Sequence, residues 1–230
     1  ISSNMAPDSP LRRQVLALGT GDLVLAIERG DIERGGLLPV MRMLGAGIKV
    51  QRLHLLPAER PRLVAIIRAL AGLPFAGLHL DIEPHQLSAA RLAEIEVETE
   101  WLATVRAACE ASPWPVGVSV HPLYFAAAGG WPGLGPGLVE AGVAEVTLML
   151  YSTTADRVRA VVAPILAAWP GLRFSLAQSV EPELPATESH FTAGRAEFAR
   201  RMAALAPTLD QANFTGIVVQ DWTRWQEMQP

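Results

Sequence analysis

The residues best suited to chemistry form one short run, GLHLDIEPH at 77–85. In a β-strand, His79, Asp81 and Glu83 would share one face, while the leucines and isoleucine between them would share the other. Pro84 cannot donate a hydrogen bond to a sheet, so we expect the strand to stop there with Glu83 at its carboxyl end. Two carboxyl groups one pleat apart can perturb each other's ionisation, which suits acid–base catalysis. Active sites of α/β folds form at this edge of the sheet.

The length and hydrophobic content of the chain fit one α/β domain, whose strands and helices would hold this run in place. The chain has 230 residues, 50% of them hydrophobic, and a chain of this size buries about 70–75% of its unfolded surface. We therefore predict a single domain over 1–230, with an irregular segment at 1–13. Because the sequence opens on Ile1, we expect its natural start to have been trimmed.

The composition of the chain excludes several kinds of binding partner and site. The net charge is −4 and the basic residues form no stripe, so we expect no nucleic-acid partner. The single cysteine, Cys109, excludes an intrachain disulfide and a cysteine-based zinc site. No apolar run reaches the roughly 18–20 residues of a membrane span. We expect a monomer without a cofactor or bound metal, and we favour an extracytoplasmic over a cytoplasmic location.

Apolar strand-like runs alternate with helix-like segments, the pattern of βα units around a parallel sheet. Eight runs favour a closed (β/α)₈ barrel, whose first βα unit is degenerate or incomplete because only three residues separate the first two runs. The Gly/Pro-rich segment 126–137 is predicted to be an irregular connection lining a cleft. The predicted strands are 14–18, 22–27, 49–56, 75–83, 115–121, 145–151, 173–179 and 215–222. The predicted helices are 35–46, 60–71, 88–111, 154–168 and 191–206.

A barrel draws its catalytic groups from the ends of several strands. This chain meets that demand, since polar or aromatic side chains end or directly follow the predicted strands from 75–83 onward, and Tyr151 ends one of them. The candidate substrate-contacting residues are His79, His85, His121, Gln178, Glu181, Gln220, Asp221 and Trp222.

Residues 76–83 resemble the fourth-strand signature D-x-x-D-x-D-x-E of chitinase-type (family 18) glycoside hydrolases. Ala76, His79, Asp81 and Glu83 stand at its four positions, so the last two acids are kept and the first two are absent.

Two later elements extend this resemblance. The run MLY that ends at Tyr151 is similar to the family's M-x-Y element. GIVVQDW at 216–222 occupies the place of the family's eighth strand, with Gln220 where a tryptophan usually stands. The ordered pattern is similar to divergent bacterial barrels related to these hydrolases.

The resemblance implies a glycosidase acting on a poly- or oligosaccharide. Glu83 would protonate the leaving oxygen with Asp81 as its partner, and Tyr151 would hold the substrate's acetamido group, which serves as nucleophile in this mechanism. If the substrate lacks that group, Glu181 or Asp221 must act as nucleophile or base. The sequence does not choose between these routes.

Two other functions stay open. The H-x-D-x-E-x-H run together with His54 or His121 suits a metal-dependent TIM-barrel hydrolase. Alternatively, the departures at Ala76 and Gln220 suit a barrel that binds carbohydrate without cutting it. The sequence also leaves open which glycan is bound and whether stereochemistry is retained.

Overall fold

The structure is a computed structural model, and the chain divides into two compact units, 1–117 and 118–230. Among the described residues, no helix is long and apolar enough to cross a membrane. The predicted irregular segment 1–13 and the predicted strand 14–18 lie outside these residues, and the single-domain expectation stays a prediction. The residues described are 24–27, 52–55, 63–65, 67–68, 71, 77–82 and 96–230.

The described part of the first unit contains three parallel strands in chain order, β1 (Val24–Ile27), β2 (Arg52–Leu55) and β3 (Gly77–Leu80). All four residues of β3 are buried. Burial on both faces is typical of parallel strands covered by helices, and it explains the near-continuous apolar sequence there. Residues 63–65 and 67–68 are helical and fall inside the predicted helix 60–71. Helix α1 (Val97–Ala111) follows β3 and falls inside the predicted helix 88–111.

Helix α1 buries one stripe, in which Trp101, Val105 and Ala108 recur at helical spacing. Cys109 lies beside this stripe and is half-buried. Burial, with a smaller effect from the carboxylate of Glu110, raises the pKa of the Cys109 thiol to about 11. A thiol with so high a pKa is a poor nucleophile, in agreement with a packing role.

The second unit places β5 (Glu145–Met149), β6 (Phe174–Ser179) and β7 (Phe214–Gln220) side by side and parallel. A further strand, β4 (Val116–Val120), spans the boundary between the units. The helices are α2 (Leu134–Glu140), α3 (Ala155–Ala168), α4 (Arg195–Leu205) and α5 (Trp222–Glu227), with short 3₁₀ helices at Pro122–Phe125, Phe191–Ala193 and Ala206–Leu209.

The predicted alternation of strands and helices is confirmed over the described residues. Each predicted strand run from 22–27 onward overlaps a strand, and β1 with β2, β2 with β3, β5 with β6 and β6 with β7 pair in parallel. The chain is therefore an α/β protein with parallel strands. Closure into an eight-stranded barrel stays a prediction.

The prediction of an irregular connection over 126–137 was wrong at its carboxyl end, where α2 begins at Leu134. Leu134 and Leu138 are fully buried one turn apart, so packing stabilises a helix whose glycine and proline content disfavours it. Position 135 requires glycine for a steric reason, because a Cβ there would lie 2.2 Å from an atom of the Trp169 ring.

The starts of β5 and β6 are joined through buried hydroxyl groups. The Ser175 hydroxyl donates to Oε1 of Glu145 at 3.0 Å and accepts a hydrogen bond from the Thr147 hydroxyl at 2.9 Å. Thr147 and Ser175 are direct partners across the parallel pair. All three side chains are at least nine-tenths buried. We call Glu145, Thr147 and Ser175 the hydroxyl network.

Candidate functional site

The end of β3 carries the first candidate acid. Asp81 is the residue immediately after the strand, and it is half-buried together with Ile82. The indole N–H of Trp101 on α1 donates to the Ile82 carbonyl at 2.8 Å. This bond fixes the backbone directly after Asp81. The other predicted residues of this segment, Glu83 and His85, lie outside the described residues.

His79 lies inside β3, with 5% of its surface exposed. Its neighbours Leu78 and Leu80 are buried on the opposite face. His79 is thus part of a strand packed on both sides, and substrate contact by its ring stays a prediction.

The connection after β4 contains an aromatic pair that the sequence did not single out. The rings of Tyr124 and Trp131 stack with centroids 4.1 Å apart, and the Trp131 N–H donates to the Tyr124 carbonyl at 2.8 Å. His121 caps the 3₁₀ helix Pro122–Phe125, its Nδ1 accepting the N–H of Leu123 at 3.1 Å. The sequence did contain one indication of this pair, namely Trp131 within the Gly/Pro-rich segment 126–137.

The end of β5 presents Tyr151, which is half-buried and lies two residues beyond the strand. The preceding carbonyl, that of Leu150, accepts a hydrogen bond from Nε2 of Gln178 at 2.6 Å. Gln178 is 0% exposed and also donates to the Ala177 carbonyl at 3.0 Å. A side chain so placed offers no surface to a ligand, so Gln178 is removed from the proposed sugar-contacting set.

His190 completes this arrangement with its Nε2 atom 3.2 Å from Oε1 of Gln178. The ring packs edge-to-face against Phe198, with centroids 5.3 Å apart, and is 2% exposed. Burial lowers the pKa of His190, the cation of Arg201 adds to this effect, and the backbone of Ser152 opposes it. The neutral ring is therefore the favoured form.

The end of β6 meets β7 through Val180, whose N–H donates to the Gln220 carbonyl at 2.6 Å. The Ser179 hydroxyl donates to Oε2 of Glu181 at 3.0 Å and accepts the N–H of Glu181 at 3.1 Å. The side chain of Gln220 is exposed, and the peptide bond between Gln220 and Asp221 is cis. Glu181 is thus held at the sheet edge beside the end of β7.

Asp221 begins α5, and its Oδ1 accepts the N–H of Arg224 at 2.8 Å. The Arg224 guanidinium pairs with Glu183 and with Glu227, the latter at 2.8 Å. Trp222 is the first residue of α5, and its side chain lies outside the described residues.

The second unit brings several predicted residues to one sheet edge. Because β5, β6 and β7 are parallel, their carboxyl ends lie together, and Tyr151, Glu181 and Asp221 follow those ends. Asp81 follows β3 in the other unit. Within the described ranges, no three His, Cys, Asp or Glu side chains cluster closely enough to hold a metal ion.

Parallel strands with acidic, aromatic and amide side chains at their carboxyl ends define an α/β protein of the kind that carries sites at this edge. No protein-family model matches the chain, and no curated protein matches it. The fold is similar to that of a GH18 chitinase from Pseudoalteromonas aurantia, with a TM-score of 0.51 and 12% sequence identity over 80% of this chain and 74% of that chain. The likeness supports a distantly chitinase-like fold.

Proposed function

We propose that this chain hydrolyses a glycosidic bond in an oligo- or polysaccharide. The observation that carries the proposal is the position of Asp81 directly after a buried parallel strand, in a fold similar to that of a chitinase. The bond from Trp101 to Ile82 supports it, because a catalytic segment needs a fixed backbone.

Glu83 acts in this proposal as the general acid that protonates the leaving oxygen. Asp81 stands two residues earlier in the chain and keeps the proton on Glu83, either by like-charge repulsion or by accepting a hydrogen bond. An acid near an anomeric centre must hold its proton until the bond breaks, which is the task of this partner.

Tyr151 donates a hydrogen bond to the substrate's acetamido group in the proposed mechanism. That group then attacks the anomeric carbon, so no second protein carboxylate is required. For a substrate without an acetamido group, Glu181 or Asp221 supplies the nucleophile or base. One oxygen of each already accepts a protein hydrogen bond, from Ser179 and Arg224 respectively.

The test is turnover on chromogenic glycosides and natural polysaccharides, with and without a 2-acetamido group and with chelator present. Wild type is compared with Glu83→Gln and with the matched control Glu110→Gln, which changes an exposed carboxylate on α1. We expect Glu83→Gln to lose about 10²- to 10⁴-fold in rate, as for loss of a general acid. Glu110→Gln should match wild type.

Three results would overturn the proposal. Full activity in Glu83→Gln would show that Glu83 is not the general acid. Activity abolished by chelator would favour the metal-dependent hydrolase. Sugar binding without turnover, equal in wild type and Glu83→Gln, would favour the carbohydrate-binding barrel.

A further inference from the structure

The amide of Gln178 has a fixed orientation. Its two N–H groups donate to the carbonyls of Leu150 and Ala177, which leaves Oε1 for the ring of His190. A flipped amide would place Oε1 against two carbonyl oxygens, so this orientation is the one that gives both polar atoms of the amide suitable partners. Nε2 of His190 must therefore carry a hydrogen and donate it to Gln178. We call Leu150, Gln178 and His190 the amide network.

His190 is held at its backbone as well as at its ring. Its N–H donates to the Ser179 carbonyl at 2.9 Å, at the end of β6. Phe198 of α4 packs against the ring. The donor that faces Gln178 is thus built into the junction between β6 and α4, and a buried amide with matched partners is rigid.

The segment that carries Tyr151 is anchored on both sides. Before it, the Leu150 carbonyl is bound by Gln178. After it, the Thr153 N–H donates to the Thr187 carbonyl at 2.9 Å, and the Thr153 hydroxyl donates to the Ala186 carbonyl at 3.2 Å. Thr187 and Ala186 lie in the same connection that ends at His190, so one framework holds both anchors.

We propose that Gln178 and His190 are positioning residues that fix the backbone of Tyr151 for contact with substrate. The inference rests on the proposed function, in which Tyr151 orients the sugar. Neither residue touches the substrate, since both are enclosed by protein. Their effect is geometric, and displacement of a reacting contact by about 1 Å can cost on the order of a hundredfold in rate.

The test follows Tyr151 directly and does not require activity. The chain has two tyrosines, so 3-fluorotyrosine labelling gives two ¹⁹F NMR signals, which Tyr124→Phe assigns. Gln178→Met keeps the side-chain volume and removes all three hydrogen bonds. The matched control is Gln211→Met, which removes a glutamine bond to the Ala163 carbonyl elsewhere in the second unit.

We expect Gln178→Met to shift or broaden the Tyr151 signal while the Tyr124 signal stays in place, and Gln211→Met to change neither. On the substrate found for wild type, kcat should fall about ten- to a hundredfold with a smaller change in KM. His190→Leu should move the Tyr151 signal, whereas His190→Gln, which retains a donor for Gln178, should keep that signal near its wild-type position.

An unmoved Tyr151 signal in folded Gln178→Met would overturn the inference, as would equal signals in His190→Leu and His190→Gln. If Gln178→Met does not fold, His190→Leu decides in its place, because it leaves both Gln178 donors intact. If wild type hydrolyses no glycan while the Tyr151 signal moves as expected, the positioning role stands and the proposed function fails.

Discussion

Two buried polar networks in the second unit differ in what they join. The hydroxyl network links residues of β5 and β6 to each other near the starts of these strands. The amide network links the end of β6 to the segment after β5 and to the connection before α4. The hydroxyl bonds of the first network join residues of the sheet to each other, whereas the second network ties the sheet to the segment that carries a candidate functional tyrosine. Equal burial therefore does not imply an equal role.

The networks also lie on opposite faces of β6. Side chains alternate along a strand, so Ser175 shares a face with Ala177, whereas Gln178 shares the other with Phe174 and Leu176. The hydroxyl network contains a carboxylate and the amide network an imidazole. Their responses to mutation and pH should differ accordingly.

The largest expected effect comes from Gln178→Met. It leaves the His190 N–H and the Leu150 carbonyl buried without their partner, so we expect the free energy of unfolding to fall by about 3 kcal/mol. Urea denaturation measures this loss. Gln211→Met, which breaks a single bond of a half-buried glutamine, should cost under about 1 kcal/mol. Equal losses in both variants would contradict the special status of the amide network.

Ser175→Ala should have the second largest effect. It deprives the Thr147 hydroxyl of its acceptor and Glu145 of one donor, which should lower the unfolding free energy by about 1–2 kcal/mol. Because this network does not reach Tyr151, the ¹⁹F signal of that residue and kcat should stay at their wild-type values. A moved Tyr151 signal would mean that the two networks do not differ in role.

The strands of the second unit could be predicted closely from sequence. The run 173–179 predicted β6, which spans Phe174–Ser179, because a short apolar run between a glycine and polar residues has few alternatives. Helix α2 was not predicted, since burial of Leu134 and Leu138 is a tertiary effect that local propensity does not contain.

The role of Gln178 illustrates the limit for the site. A polar residue at a strand end was interpreted as a ligand contact, but alternation places it on the face of Phe174 and Leu176, a signal that was present in the sequence. Alternation along a strand could not identify its partner His190, because that contact depends on the path of the eleven-residue connection that follows β6. The predicted strand 75–83 contained Asp81, whereas β3 ends at Leu80 and Asp81 follows it, and the role of Asp81 stays a prediction.

Acid should weaken the amide network selectively. The pKa of His190 is lowered in the folded protein, so the unfolded chain, with an ordinary value of 6.5, binds the proton more readily. The stability that the neutral ring confers is complete above pH 6.5. It falls as the pH drops below 6.5 and through the pKa that His190 has in the folded protein. Denaturant titrations at several pH values should show this slope in wild type and a shallower one in His190→Gln.

Ser175→Ala is the comparison variant, because it should keep the wild-type slope. A slope that persists unchanged in His190→Gln would assign the effect to another titratable group. Burial is the first cause of the lowered pKa, so the slope should persist at high salt, which screens the contribution of Arg201.

The smallest expected quantity is the coupling between the two networks. Ser175 and Gln178 lie three residues apart on opposite faces of β6, about 10 Å along the strand, and share no hydrogen-bond partner in the two networks. The double variant Ser175→Ala/Gln178→Met should therefore lose the sum of the single losses to within about 0.5 kcal/mol. Coupling above about 1 kcal/mol would mean that β6 transmits strain from one face to the other. The shift of the Tyr151 ¹⁹F signal in Gln178→Met would then report general loosening of the strand. In that case, positioning could be separated from packing only if the Tyr151 signal did not shift in Ser175→Ala.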